Sequence, residues 1–230
     1  MTAAESSFVA APGSGPVSAL LDRPDDARWL LVFAHGAGAG IRHPFMEAAA
    51  GALAVRRIAT FRYQFPYMEE AGSSGRRGSG PDRQPVLLAT VRSAVAAARA
   101  AASDLPLLAG GKSMGGRMTS LASAESALGE VRGLVFFGFP LHPPGSPGIG
   151  RAEHLDRVVT PMLFLQGTRD KLADLELLGP VVNRLGARAT IHVIDQADHS
   201  FKVPKRSGRS EGEILEELAR TVSDWAARLD

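Results

Sequence analysis

Apolar runs of strand length alternate along this chain with longer segments of helical periodicity. Trp29–Ala34 (WLLVFA), Gly133–Phe139 (GLVFFGF) and Pro161–Gln166 (PMLFLQ) are almost continuously apolar, as strands covered on both faces must be. Pro16–Leu21, Arg57–Tyr63, Leu105–Gly110 and Thr190–Ile194 read as further strands. Helical patterns cover His43–Val55, Gln84–Ala102, Met114–Leu128, Leu172–Leu185 and Glu211–Leu229, and Arg151–Arg157 makes one short helix. In the last of the long ones, Ile214, Leu215, Leu218, Val222, Trp225 and Leu229 fall on one side, the stripe of an amphipathic helix against a core. Gln64–Gln84, rich in Gly, Arg and Pro, reads as a loop without regular structure, and Leu141–Gly150 as a Pro/Gly-rich loop. Repeated strand–helix alternation predicts an α/β fold with a mostly parallel sheet and helices on both faces. The expectation is a single domain spanning 1–230, with 1–15 flexible.

Composition narrows the function classes. Lys+Arg 26 against Asp+Glu 24 leaves a formal net charge of +2, too small an excess to suggest a nucleic-acid partner. The 22 arginines far outnumber the 4 lysines, a bias read as coding preference in a GC-rich genome rather than as phosphate binding. There is no cysteine, which excludes disulfides, thiolate metal sites and a cysteine nucleophile together. Met1 to Gly15 lacks a basic segment followed by an apolar run, and no stretch approaches the ~18 apolar residues of a membrane span. A cytoplasmic protein with no membrane partner is expected; the oligomeric state is not legible.

In an open parallel sheet, ligands sit at the carboxyl ends of the strands. Four such ends here carry His35-Gly36-Ala37-Gly38-Ala39-Gly40, Gly111-Lys112-Ser113-Met114-Gly115, Gly167-Thr168-Arg169-Asp170 and Asp195-Gln196-Ala197-Asp198-His199. The second fits G-x-S-x-G between a strand and a helix, the place of a nucleophile elbow. The bland alternative for Ser113 is a simple helix N-cap. Two decoys fail. A phosphate-binding P-loop needs glycine five positions before Gly111, where Pro106 stands. A dinucleotide fingerprint needs glycine where Ile41 stands, and the next strand ends Phe61-Arg62-Tyr63 with no acid for a ribose. Among six histidines only His199 follows the last strand and precedes the last helix, where a general base could reach Ser113. His35 reads as a buried hydrogen-bonding residue. Asp170 is the candidate acid, with Asp174, Asp195 and Asp198 as rivals; Asp198 adjoins His199 and is awkwardly placed to orient it.

The order Ser113…Asp170…His199 resembles that of the α/β-hydrolase superfamily, and the resemblance runs from about Trp29 to Asp230. Gly167-Thr168-Arg169-Asp170 with Ala197-Asp198-His199-Ser200-Phe201 resembles the dienelactone-hydrolase-like group. Gly110-Gly111-Lys112-Ser113-Met114-Gly115-Gly116-Arg117 is similar to a small bacterial subgroup of it. Dienelactone hydrolases themselves use a cysteine nucleophile, and here the chain departs from them. The resemblance implies an acyl-enzyme mechanism: Ser113 attacks an ester-like carbonyl, His199 takes its proton and Asp170 orients His199. The N–H groups of Met114 and of Ala37 or Gly38 would face the oxyanion. It implies a small-molecule substrate and no cofactor or metal. With only Pro140 to Gly150 after the Phe139 strand, no large cap is expected. Gly38, Phe65, Tyr67, Met68, Leu141 and His142 are candidate pocket residues. Lys112 and Arg117 are read as solvated charges in preference to a binder of an acidic acyl group. The competing readings are a non-catalytic binding or scaffold protein of the same fold and a peptidase of small peptides.

Overall fold

The computed structural model describes residues 3–74 and 80–229. Eight strands form one sheet: β1 (Ala4–Val9), β2 (Pro16–Asp22), β3 (Trp29–Ala34), β4 (Ile58–Tyr63), β5 (Leu107–Lys112), β6 (Val131–Phe137), β7 (Met162–Gly167) and β8 (Ala189–Ile194). Their spatial order is β1-β2-β4-β3-β5-β6-β7-β8. From β4 through β8 every neighbouring pair is parallel, while β2 pairs antiparallel with both β1 and β4.

Among the described residues six α-helices flank the sheet: α1 (Pro44–Val55), α2 (Pro66–Ser74), α3 (Gln84–Ala101), α4 (Met114–Glu125), α5 (Leu175–Leu185) and α6 (Glu211–Ala226). Alternation within β3 shows how they divide. Trp29, Leu31 and Phe33 pack with Met46 and Leu53 of α1 and with Ile214, Leu218 and Val222 of α6. Leu30, Val32 and Ala34 pack on the other face with α3, α4 and α5. Every residue of β3, β4 and β7 is buried. A strand with helices on both sides has no solvent face, so its sequence shows no alternation.

The chain leaves β3 toward β4 and then returns past β3 to β5, so the strand order reverses between β3 and β5. The loops that splay apart there begin at His35 and at Lys112, which places the crevice of an open α/β sheet beside Ser113.

Two expectations are corrected. Residues 4–9, within the segment expected to be flexible, form the edge strand β1, in register from Ala4↔Leu21 to Val9↔Pro16. Five of its six side chains are exposed, so no apolar pattern marks it; main-chain pairing and Phe8, packed on Phe61 and Tyr63 at centroid distances of 6.1 and 6.3 Å, hold it. Nor is Gln64–Gln84 wholly irregular, since Pro66–Ser74 is α2. Its Glu69 carboxylate accepts both the Ser18 N–H (2.9 Å) and the Ser18 hydroxyl (2.8 Å) of β2, a long-range tie that local composition does not reveal. Residues 75–79 of that segment lie outside the described residues. Between β6 and the short 3-10 helix Gly150–Arg157 runs a single loop, and among the described residues no cap domain stands over the sheet.

Candidate functional site

Ser113 sits between the end of β5 and the start of α4 with φ 50° and ψ −116°, a left-handed conformation that costs a non-glycine residue ~1–3 kcal/mol. The surroundings enforce it. Its N–H donates to Phe137 O of β6 at 3.1 Å. Side chains at Gly111 and Gly115 are excluded: a Cβ at Gly111 would lie 2.4 Å from Ala34 O, and one at Gly115 2.6 Å from His35 O. The two glycines of G-x-S-x-G are therefore demanded by the close approach of the β3 backbone to the turn.

The turn presents the hydroxyl to His199. Ser113 Oγ lies 2.8 Å from His199 Nε2, and His199 Nδ1 lies 2.7 Å from Asp170 Oδ2. A carboxylate only accepts, so Nδ1 carries the proton and Nε2 is left to accept from the hydroxyl. The imidazole is about a quarter exposed, whereas the Asp170 side chain is wholly buried. Asp170 Oδ1 accepts from Leu172 N at 2.8 Å, and Oδ2 also accepts from Gln166 Nε2 at 2.5 Å. Gln166 in turn accepts from Phe139 N at 3.0 Å, which links the ends of β6 and β7. Gln166 carries only a faint mark in the sequence, a polar residue at the end of an apolar strand four positions before Asp170.

The rival acids are occupied elsewhere. Asp174 caps α5 by accepting from Glu176 N at 2.9 Å. Asp195 faces the Thr168 hydroxyl at 3.5 Å. Asp198 Oδ1 accepts from Ser200 N (2.8 Å) and Lys202 N (3.0 Å), so it shapes the loop that carries His199. Asparagine keeps an oxygen for both bonds. Asp198→Asn is therefore expected to leave stability close to that of wild type, while Asp198→Ala, which removes the acceptor, costs about 1–3 kcal/mol of stability. Urea melts of the two variants check this.

On the β3 side, His35 is buried; Nδ1–H donates to Gly36 O at 2.8 Å and Nε2 accepts from Phe65 N at 3.1 Å. Gly38 N donates to Tyr67 Oη at 3.1 Å, so of the Ala37 and Gly38 amides the latter is already engaged. A Cβ at Gly36 would lie 3.7 Å from Ser113 Cβ, so this loop borders the serine. Burial drives the His35 pKa down from 6.5 to about 4. The unfolded chain then binds the extra proton between those values. Stability is full above about pH 6.5 and declines as pH falls toward 4, by about 1.4 kcal/mol per pH unit from His35. Burial and the nearby Arg117 and Arg157 push His154 the same way. Urea midpoints at about pH 7 and about pH 5 test this; equal midpoints would show that His35 titrates normally.

Phe65 and Leu141 are fully buried, and Tyr67 and His142 nearly so. Phe65 stands edge-on to His35 at 5.0 Å. His142 donates through Nδ1 to Pro143 O at 2.9 Å and accepts from Asp174 N at 3.3 Å. Met68, in α2, is partly buried against the core. Lys112 is not a solvated charge: it is tucked beneath the His199 loop, with Nζ donating to His199 O at 2.6 Å. Arg117 is half-buried, and burial together with Arg151 lowers its pKa. A second serine–histidine contact, Ser120 Oγ to His154 Nε2 at 2.7 Å, is sealed in the core with Ser120 fully buried, out of reach of any substrate. Among the described residues no group of three or more His, Asp or Glu side chains is arranged to hold a metal ion, and no helix is long and apolar enough to cross a membrane.

The switch-point crevice, the strained serine turn and the strand order are together those of an α/β hydrolase. The family model for the alpha/beta hydrolase domain matches residues 27–227, and the chain belongs to that family. Among solved structures the fold is similar to that of a dienelactone hydrolase from Anabaena variabilis (21% identity, TM-score 0.74, 99% of each chain covered). It is also similar to that of an α/β serine hydrolase without a lid from Xanthomonas campestris (20% identity, TM-score 0.70, covering 98% of this chain and 95% of that one). The esterase domain of a Rhodothermus marinus protein superposes comparably (17% identity, TM-score 0.71, 99% of each chain).

Proposed function

We propose that this protein is a serine hydrolase that cleaves a small soluble ester or related acyl compound through an acyl-enzyme intermediate. The observation that carries the reading is the continuous bonded path from Ser113 Oγ through His199 to Asp170, at 2.8 and 2.7 Å. Ser113 is the nucleophile: as Oγ attacks the carbonyl carbon, its proton passes to His199 Nε2. Asp170 holds the imidazole in the tautomer that can accept and stabilises the imidazolium that forms. The tetrahedral oxyanion lies against the N–H groups of Met114, at the positive end of α4, and of Ala37. Donors of this kind are worth ~3–4 kcal/mol each. His199 then returns the proton to the leaving alcohol, and a water activated by the same histidine releases the acid. The mechanism asks nothing of a metal or cofactor. A substrate small enough to be covered by the loops around the crevice suits a sheet without a cap.

A fluorophosphonate probe and short p-nitrophenyl esters test the proposal. Ser113 is expected to be the labelled residue, with the ester hydrolysed and labelling blocked by excess substrate. A folded wild type that takes up no probe and turns over no ester overturns it and leaves a binding or scaffold protein.

A further inference from the structure

The histidine has a long way to come. Ser113 follows β5 and His199 follows β8, and the sheet order is β5-β6-β7-β8. With strands ~4.8 Å apart, the histidine loop must reach about 14 Å sideways across the ends of β7 and β6. Where it arrives, Gly138 stands just past β6 with φ +71°, and a Cβ there would lie 3.2 Å from Lys112 Nζ and 3.4 Å from the His199 imidazole. The missing side chain leaves room for the ammonium and the imidazole to sit side by side. Lys112 Nζ donates to the main-chain oxygen of His199 at 2.6 Å. The same ammonium lies 5.8 Å from the Phe45 ring centroid and 5.5 Å from that of Phe201. These rings are stacked, with centroids 5.8 Å apart and an interplanar angle of 16°. Phe201 itself holds a left-handed φ of 62°, a conformation a bulky residue keeps only when its neighbours impose it.

We propose that Lys112 is a positioning residue of the reaction, tying the main chain of His199 to the end of β5 so that Nε2 stays on the Ser113 hydroxyl. The inference rests on the serine-hydrolase reading. It joins the strand that carries the nucleophile directly to the loop that carries its base, so both move as one unit. A space-filling role does not account for the residue. A methionine or leucine would fill the slot without the cost of desolvating an ammonium. Asp170 and Asp198 both favour the charged form, yet burial outweighs them and draws the lysine pKa down to about 8. The tether is thus charged near neutrality and loses its charge in mild alkali.

The test is Lys112→Met beside Lys112→Arg, assayed on p-nitrophenyl acetate with fold followed by circular dichroism. A base displaced by about an ångström costs on the order of a hundredfold. Lys112→Met is therefore expected to lower kcat about thirty- to hundredfold with KM within about twofold, and to slow fluorophosphonate labelling of Ser113 in step. Lys112→Arg, which keeps a charged donor able to stack on the two rings, should recover a substantial part of kcat. A folded Lys112→Met with wild-type kcat, or an arginine variant no better than the methionine one, overturns the proposal. Should Lys112→Met fail to fold, Lys112→Arg decides by itself: a kcat within about tenfold of wild type supports the tether, and a folded arginine variant that loses about a hundredfold or more overturns it. A wild type that takes up no probe at Ser113 overturns both readings together. A labelled wild type with an indifferent Lys112→Met overturns only this one.

Discussion

Replacing Ser113 by alanine is expected to abolish fluorophosphonate labelling and to lower kcat on short esters by roughly 10⁵–10⁶, while the fold persists. In the proposed mechanism the loss is large because attack by Oγ is the step on which everything later depends; without it, the proposed oxyanion donors and the crevice offer only weak help to water. The fold should survive because alanine keeps the Cβ, so the strain of the left-handed turn is neither added to nor relieved. The Ser113 N–H to Phe137 O bond that holds the turn is main-chain and is untouched. A thermal midpoint within a few degrees of wild type, measured beside the labelling, separates loss of chemistry from loss of structure. A Ser113→Ala protein that still hydrolyses ester at a tenth of the wild-type rate would place the nucleophile elsewhere.

The second large effect is expected at Asp170. Its two oxygens accept three bonds: Leu172 N on Oδ1, and Gln166 Nε2 with His199 Nδ1 on Oδ2. Asparagine cannot reproduce that set. With its amide nitrogen at the Oδ2 position, it faces the donors of Gln166 and His199. The imidazole then escapes by moving its proton to Nε2, where it can no longer take one from Ser113. With the amide reversed, nitrogen confronts the Leu172 N–H, and a buried donor loses its acceptor at a cost of about 1–3 kcal/mol. The expected outcome for Asp170→Asn is a kcat lower by about 10³–10⁴ with KM little changed, in a protein that still folds. Steady-state kinetics check it, and a fall of less than tenfold would show that another group orients His199. The contrast with Asp198→Asn, which keeps its loop bonds, makes the assignment of the acid a two-variant experiment.

The parts of the fold that could be read from the chain are those whose burial leaves a continuous mark. β3 and β7 are buried on both faces, and their apolar runs locate them to within a residue. The amphipathic stripe of α6, read from Glu211, locates its start equally well, and the structure adds a capping box there, Ser210 with Glu213. β1 escaped because an edge strand is held by main-chain pairing that leaves almost no apolar pattern. α2 escaped because what anchors it, Glu69 on Ser18, joins residues fifty-one apart in the chain. The site divides in the same way. Ser113 stood out because the turn imposes glycine on either side, and a steric demand of that kind must appear in the sequence. Gln166 and the half-buried tie of Lys112 to His199 did not, since each takes its meaning from a partner on another segment.

The sequence by itself thus determined the layered α/β architecture, the strained serine turn, and which of the carboxylates and histidines fall at strand ends. These follow from local sterics and from the burial period of each element, both written into neighbouring residues. Only the tertiary structure decided which of those groups meet, because the strand order is set by packing the helices on two faces rather than by any local preference. That order leaves β6 and β7 between serine and histidine, so the approach of His199 depends on Gly138, Lys112, Phe45 and Phe201, four residues from four segments. Hydrogen bonds between distant segments select a side chain for a place in space, and single-chain patterns carry no record of that place.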